Sequence, residues 1–514
     1  MPLLNSSFYV TGNELERFGN PRHGVVEERC ESPGRYTQLS GPFVKYERTF
    51  DTVDLGNGIY RVNERVDYRL VMPYVGWIVT RPLRRVLKPR VPNAGAPTKP
   101  PWWTPRGQID AHGINVLGLL CGASVVAGYL NTLITQTIVF ASTEFGTSAR
   151  RESVALAIVR VGILVSLAMS TYADRHGRRS TILLCLAAGP FFAALGALSP
   201  NLTVLTVTQL LSRSFALGLG ILIPIVAAEE MPKDSRAFAI SITSLVTAFG
   251  AGMCVMTLRL ADLGIRAWRL VYLVPLLSVF ILIHLKRTLP ESRRFLAHRD
   301  DRDDQPIADR PRLRQHMGRL VMLCVGLALL NVFVAPASQL QNRYLKKERG
   351  YSGGGITLFT LCTNTPGGIG VAIGGKLADA RGRRVVGAVA VAALGIFTTA
   401  SFFASGPWLW LWAALGAIIG SATIPSLSVY LPELFPTALR GKANGVISTV
   451  AVMGSAVGLI TVGILADRWG RVGPGLALMC VGPLLVAALV LLKFPETAHM
   501  ELEDLNPQDV LPSP

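Results

Sequence analysis

The sequence predicts an all-α membrane protein of about twelve transmembrane helices, arranged as two six-helix pseudo-symmetric bundles behind a small N-terminal extension. Three observations predict it. Apolar runs of roughly 20 residues follow one another from Ile114 to Lys493, the length a helix needs to cross a hydrocarbon core about 30 Å thick. The turns between those runs are short and rich in arginine. Three polar signatures also occur twice, in one order and at one spacing.

Composition agrees with the first observation. Of 514 residues, 50 % are hydrophobic and 16 % charged, and the mean hydropathy is +0.40. Soluble domains run near a quarter charged, so lipid is the expected solvent. Backbone groups in lipid must be satisfied within each segment, which makes the runs helices. The net charge of +18 sits in the turns and the N-terminal tail. That is the pattern of the positive-inside rule, so nucleic acid is not expected as a partner. The seven cysteines stand singly with no CxxC pair, which supports neither a metal site nor a disulfide framework. With no phosphate-cradling Gly-x-x-x-x-Gly-Lys-Ser loop and no nucleophile constellation, no cofactor, no ATP drive and no enzyme activity are expected. The first residues lack the apolar core of a cleavable signal, so the first membrane helix is expected to direct insertion.

Residues 1–108 read as a cytoplasmic extension. Phe43–Asp54 and Ile59–Met72 alternate apolar and polar residues around Leu55-Gly56-Asn57-Gly58, a β-hairpin signal. Tyr74–Leu87 carries Trp77 and Ile78 beside Arg81, Arg84 and Arg85, which suits a basic amphipathic helix on an anionic inner leaflet. A Pro-rich linker from Pro89 to Pro105 follows. The predicted spans are 113–141, 153–173, 180–199, 202–228, 237–260 and 267–286 in a first bundle (109–286). A central cytoplasmic loop (287–318) leads to 319–342, 355–378, 385–404, 408–430, 442–466 and 473–493 in a second (319–494). The tail is 495–514. An even number of spans puts both termini on one side. The basic turns at Arg175–Arg179, Arg293–Arg319 and Arg381–Arg384 place that side in the cytoplasm and the protein in a plasma (inner) membrane. The basic turn Arg343–Arg349 stands on the wrong side for this rule.

Ala-Asp-x-x-Gly-Arg-Arg occurs at Asp174–Arg179 and Asp379–Arg384 (379 − 174 = 205). Glu-x-x-Pro-x-x-x-Arg occurs at Glu229–Arg236 and Glu433–Arg440 (433 − 229 = 204). Pro-Glu-[Ser/Thr] occurs at Pro290–Ser292 and Pro495–Thr497 (495 − 290 = 205). Three coincidences at one spacing mean that a unit of six helices was duplicated, the parallel-repeat architecture of secondary transporters. A carboxylate at such a turn can meet arginine and a helix N-terminus from the opposite half. The candidate cytoplasmic gate is therefore Asp174, Arg175, Gly177, Arg178, Arg179, Glu229, Arg236 and Glu291, with Asp379, Gly382, Arg383, Arg384, Glu433, Arg440 and Glu496. The plainer alternative is topogenic charge in surface pairs worth under about 1 kcal/mol each.

These signatures resemble the major facilitator superfamily, most closely its sugar-porter and related metabolite-porter branches. Asp174-Arg175-His176-Gly177-Arg178-Arg179 is similar to the turn after the family's second helix, and Ala380 departs from it in the second copy. Pro290-Glu291-Ser292-Arg293-Arg294 resembles the end of the sixth helix with one proline missing. Pro432-Glu433-Leu434-Phe435-Pro436 through Arg440-Gly441 resembles the turn after the tenth, and Trp268-Arg269 also fits. The resemblance covers roughly residues 110–505. It implies alternating access, with the charged networks latching the cytoplasmic side and breaking as the protein opens inward.

Candidate substrate-binding residues lie inside the apolar runs. Arg160 and Arg213 stand in predicted spans 2 and 4, where an arginine costs at least about 2.5 kcal/mol and must face the bundle interior. They bind an anionic solute or form a coupling path, or else carbonyls and Gln209 satisfy them structurally. Asn131 and Gln136 of span 1, Asn331, Gln339, Gln341 and Asn342 of span 7, and Asn364 of span 8 suit hydroxylated or amide-bearing solutes. Alternatively they tie helices together. Thr363–Gly368 is an expected unwound point. Span 1 has no mid-helix carboxylate of the kind proton-coupled sugar porters carry, which leaves proton coupling open. The expected function is a secondary active or facilitative transporter of a small organic solute (sugar-like, organic acid or other metabolite), monomeric, with lipids and a coupling proton as the other partners. A drug or metabolite exporter and a non-transporting sensor signalling through residues 1–108 are the alternatives.

Overall fold

The computed structural model describes residues 3–22, 25–70, 72–74, 76–87, 109–232, 235–291, 316–427, 430, 434–435 and 437–496. Its N-terminal part is a five-stranded antiparallel sheet of order β1-β5-β4-β3-β2. The strands are β1 (Leu3–Thr11), β2 (Glu27–Ser32), β3 (Arg35–Ser40), β4 (Phe43–Asp54) and β5 (Ile59–Leu70), with helices α1 (Gly12–Phe18) and α2 (Gly76–Leu87). β4 and β5 pair from Phe43↔Leu70 to Asp54↔Tyr60. The turn between them places Asn57 and its flanking glycines at positive φ.

The sheet folds around a buried charge network. Arg48 is fully buried, and its guanidinium donates to Glu28 (2.7 and 3.0 Å) and to the carbonyls of Phe18 and Asn20 (3.3 and 3.2 Å). Arg22 pairs with Glu64 at 2.6 Å. Burial still raises the Glu64 carboxyl above its ordinary range. Leu83 and Leu87 of α2 join Val26, Phe43, Tyr46, Val66 and Tyr68 in one apolar cluster. Leu83 and Leu87 are thus spent on the sheet and not on a leaflet, and Arg84 and Arg85 face outward; the side chains of Trp77, Ile78 and Arg81, on which the expectation of a leaflet-bound helix also rests, lie outside the described residues. The Pro-rich linker lies outside the described residues.

Twelve helices among the described residues are long and apolar enough to cross a membrane. Spans 1 to 6 are Ala111–Glu144, Ala149–Ala173, Arg178–Ala197, Leu202–Glu230, Phe238–Leu263 and Trp268–Thr288. Spans 7 to 12 are Met317–Glu348, Gly353–Gly375, Arg383–Phe403, Pro407–Leu427, Ala443–Trp469 and Val472–Lys493. The twelve-span expectation is borne out. The largest departure is span 7, which continues through a π-helical turn at Tyr344–Glu348 and absorbs the discordant basic stretch. Its charges are used: Arg343 pairs with Glu152 at 2.7 Å, Arg349 donates to the Tyr344 hydroxyl at 2.7 Å, and Lys346 lies over the Phe140 ring.

Within each half, the crossings between spans 1 and 5 and between spans 7 and 11 depend on glycine. A Cβ on Gly128 would collide with the Thr247 carbonyl, and one on Gly458 with that of Val332. Gly458→Val is expected to abolish recovery of monodisperse protein from detergent. Gly220→Val, where a Cβ meets open space, serves as the control that should leave recovery unchanged.

The N-terminal domain is seated on span 1. Pro73 and Tyr74 fill the places a Cβ would need at Gly118 and Gly122, the two small residues of a Gly-x-x-x-Gly notch. Tyr74 adopts φ 63° there and bonds through its hydroxyl to Nδ1 of His284 in span 6 (2.9 Å).

Candidate functional site

Call the face carrying the termini the near side and its opposite the far side. Spans 2 and 8 begin on the far side, and both N-termini are capped from the other half. Asp467, at the end of span 11, accepts from the backbone N–H groups of Ala149 (2.7 Å) and Arg150 (3.0 Å). Asp262, at the end of span 5, accepts from those of Gly353 (2.6 Å) and Gly354 (2.7 Å). The two aspartates lie at twin positions of the repeat (467 − 262 = 205). A carboxylate is well placed at a helix N-terminus, where unpaired N–H groups and the helix dipole favour negative charge. Further cross-half bonds reinforce this closure. Besides Arg343–Glu152, Asn342 Nδ2 donates to Oε1 (2.7 Å) and the carbonyl (3.0 Å) of Gln136. Thr357 Oγ1 donates to the Val255 carbonyl (2.7 Å).

The near-side signatures behave differently. Gly177 and Gly382 take φ values of 102° and 94°, a conformation that favours glycine. The helices that follow are capped by the glutamates of the Pro-Glu signatures. Glu291 accepts from the N–H groups of Arg178 (2.9 Å) and Arg179 (3.1 Å). Glu496 accepts from those of Arg383 (2.9 Å) and Arg384 (3.2 Å). Arg178 pairs with Glu229 at 2.9 Å, and Arg236 Nε reaches the Met231 carbonyl. Each of these bonds stays within a single half. The glutamate caps tie the ends of spans 6 and 12 to the starts of spans 3 and 9 within each half, whereas the cross-half contact expected of Asp174 and Asp379 falls on side chains outside the described residues. The side chains of Asp174, Arg175, Asp379 and Arg440, and the residue Glu433, lie outside the described residues.

Between the two faces lies a polar layer. Arg160 ends the first segment of span 2, where the helix breaks at Val161; span 8 breaks at Thr365–Pro366, the twin place (366 − 161 = 205). Arg160 Nη1 donates to Ser455 Oγ of span 11 at 2.5 Å. The Gln339 amide, with its oxygen turned toward Arg160, accepts from Nε and Nη2; this orientation is assigned from the hydrogen-bond network. Ser455 Oγ in turn lies 3.3 Å from Asn331 Oδ1. Arg213 is different. Among the described residues its Nε and Nη1 are buried with no hydrogen-bond partner, and so is Gln209 Nε2. The structural alternative, in which carbonyls or Gln209 satisfy Arg213, is not what the structure shows. Asn131 Nδ2 approaches the Ala216 carbonyl at 3.5 Å, and its Oδ1 is buried and unpartnered.

Of the nine substrate-binding candidates, Gln136 and Asn342 are thus committed to each other. Arg160, Gln339 and Asn331 belong to one network through Ser455. Gln341 is half-buried and Asn364 exposed, apart from that network. Sequence reasoning missed Asp262, Asp467, Glu152 and Ser455. The signal for the first two was present: Ala261-Asp262 and Ala466-Asp467 are a fourth pair at the repeat offset.

Twelve apolar helices in two related halves, closed on one face by bonds between the halves, define a polytopic membrane protein of the transporter class. The model of the Major Facilitator Superfamily matches residues 120–361 and 320–509, and the chain belongs to that family of membrane transporters. It is similar to the glucose transporter GlcP of Staphylococcus epidermidis, at 22% identity over 76% of this chain and 96% of that one. A shorter stretch, 26% of this chain, is 33% identical to 33% of the cis,cis-muconate transport protein of Acinetobacter baylyi. Among solved structures, the inward-open xylose transporter XylE of E. coli superposes with a TM-score of 0.61 at 16% identity, covering 77% of this chain and 99% of that one.

Proposed function

We propose that the protein moves a small organic solute across the plasma membrane by alternating access, as a secondary active or facilitative carrier with both termini in the cytoplasm. The observation that carries this reading is the far-side closure. Asp262 and Asp467 hold the two halves together through bonds to helix ends, which rocking of one half against the other would break and remake. On this orientation the far side is extracellular, and the near-side turns, with Asp174 and Asp379, form the opposing cytoplasmic latch. The polar layer around Arg160, Arg213, Asn131, Asn331 and Gln339 is the substrate site. Sugars and organic acids are the solute classes for which the relatives GlcP and the muconate transport protein are named. XylE is a proton:xylose symporter, which makes a proton the coupling ion to test first.

Reconstituted into liposomes, the full chain is expected to show counterflow of a sugar or an organic acid, faster with an inward proton gradient if the carrier is a symporter. Deleting residues 1–100 is expected to leave that flux measurable. Solute binding without flux in either form would establish the sensor alternative instead.

A further inference from the structure

The layer containing Arg213 has an imbalance that the transporter scaffold does not require. Arg160 stands eleven residues beyond the start of span 2 at Ala149, and Arg213 eleven beyond the start of span 4 at Leu202. Both spans begin on the far side, so at 1.5 Å per residue both Cα atoms lie about 17 Å below it. The two spans pack together at this depth, where a Cβ on Gly162 would meet Ser214 Oγ at 2.6 Å, so the two like charges share one layer.

No described carboxylate balances them. Glu144 is held by Trp268 and Arg269, Glu152 by Arg343, and Glu348 by the Val472 N–H. Asp262 and Asp467 cap helices at the far face. Glu229 and Glu230 lie 16 and 17 residues further along span 4 (229 − 213, 230 − 213), about 24 Å away along the axis. Arg160 has neutral partners in Ser455 and Gln339. Arg213 has none among the described residues: its Nε and Nη1 donors are buried and unused, while the residue as a whole is half-buried. A cation inside a membrane span without a counter-charge is a costly arrangement for a protein to keep.

The duplication argues that the scaffold does not need these charges. At the repeat offset of 205, the counterpart of Arg160 is Thr365 and that of Arg213 is Ile418. The second half folds as the first does with uncharged residues in both places.

We infer that the transported solute carries a carboxylate, which docks on Arg213 with Arg160 as the second positive charge. This rests on the transporter reading above. A carboxylate supplies two acceptor oxygens to the guanidinium, cancels the repulsion between the two arginines, and leaves the rest of the solute against Asn131 and Gln209. Guanidinium and carboxylate match in charge and in planar geometry, whereas a neutral sugar would leave the cation uncompensated.

The test uses the full-length protein in detergent and in liposomes, with acetate, benzoate, succinate and citrate as probes and glucose and choline as controls. At least one carboxylate is expected to raise the thermal midpoint of the wild type, with glucose and choline silent. Arg213→Gln is expected to weaken that carboxylate's Kd by at least tenfold, Arg213→Lys by less, and Arg84→Gln on the N-terminal domain not at all. If Arg213→Gln is not monodisperse, Arg213→Lys decides: an unchanged Kd and unchanged selectivity over glucose overturn the inference. So does binding of glucose alone, the absence of a shift with every carboxylate, or a carboxylate shift that survives Arg213→Gln. Counterflow separates the two readings. Flux of a neutral solute with no carboxylate binding sinks the carboxylate and keeps the transporter. Arg213-dependent carboxylate binding without flux of any probe does the reverse.

Discussion

Arg343→Ala is expected to destabilise the protein by about 3–5 kcal/mol, enough to collapse most of the monodisperse peak after mild heating in detergent. Glu152 is fully buried at the far end of span 2, and Arg343 meets it at 2.7 Å. Removing the cation strands a buried carboxylate, which costs far more than the intact pair contributes. The double variant Glu152→Gln/Arg343→Gln removes both charges and is expected to recover most of the loss. Thermal unfolding followed by size-exclusion chromatography distinguishes the cases. If single and double variants melt together, the pair does not hold spans 2 and 7 in the way described.

The second large effect is conformational. In Asp262→Asn/Asp467→Asn, both cross-half caps lose their charge, at about 1 kcal/mol each. Together these shift the balance toward opening of the far side by about 2 kcal/mol, or ~30-fold in the equilibrium constant. Ser153 is fully buried where span 2 meets Gly463 of span 11, so a cysteine placed there, with the native cysteines replaced, reports the opening. A membrane-impermeant maleimide should label Ser153→Cys about tenfold faster or more in the double variant. Equal rates in the two backgrounds would show that the caps do not hold the closed face.

Both effects arise from contacts that the sequence displays only in part. The spans were legible because lipid imposes length and polarity on every crossing helix, and the duplication because its signatures are polar, short and twice present. Partners across a bundle leave no such trace. Gln136 and Asn342 read as pocket amides, since periodicity says that a helix face is polar and not which helix it meets. The apolar stripe of α2 had the same ambiguity: Leu83 and Leu87 fit a bilayer as well as a sheet, and only the fold of residues 3–70 decides. Arg343–Arg349 conflicted with the charge rule because their partners, the Glu152 carboxylate and the Ala404 carbonyl among them, come from distant segments. Arg160 and Arg213 were visible as charges out of place. That Arg160 has neutral partners and Arg213 has none could not be read from composition, because it depends on the rotation of spans 2, 4, 7 and 11.

Pro73 and Tyr74, seated against Gly118 and Gly122, turn the N-terminal domain into a handle. The tether runs from β5 straight into a notch on span 1, with His284 of span 6 as a second grip, and both spans belong to the first half. In the proposed rocking of the halves, the sheet travels with that half as one piece. Whatever restrains the sheet on the near side would brake that proposed movement without touching the solute path.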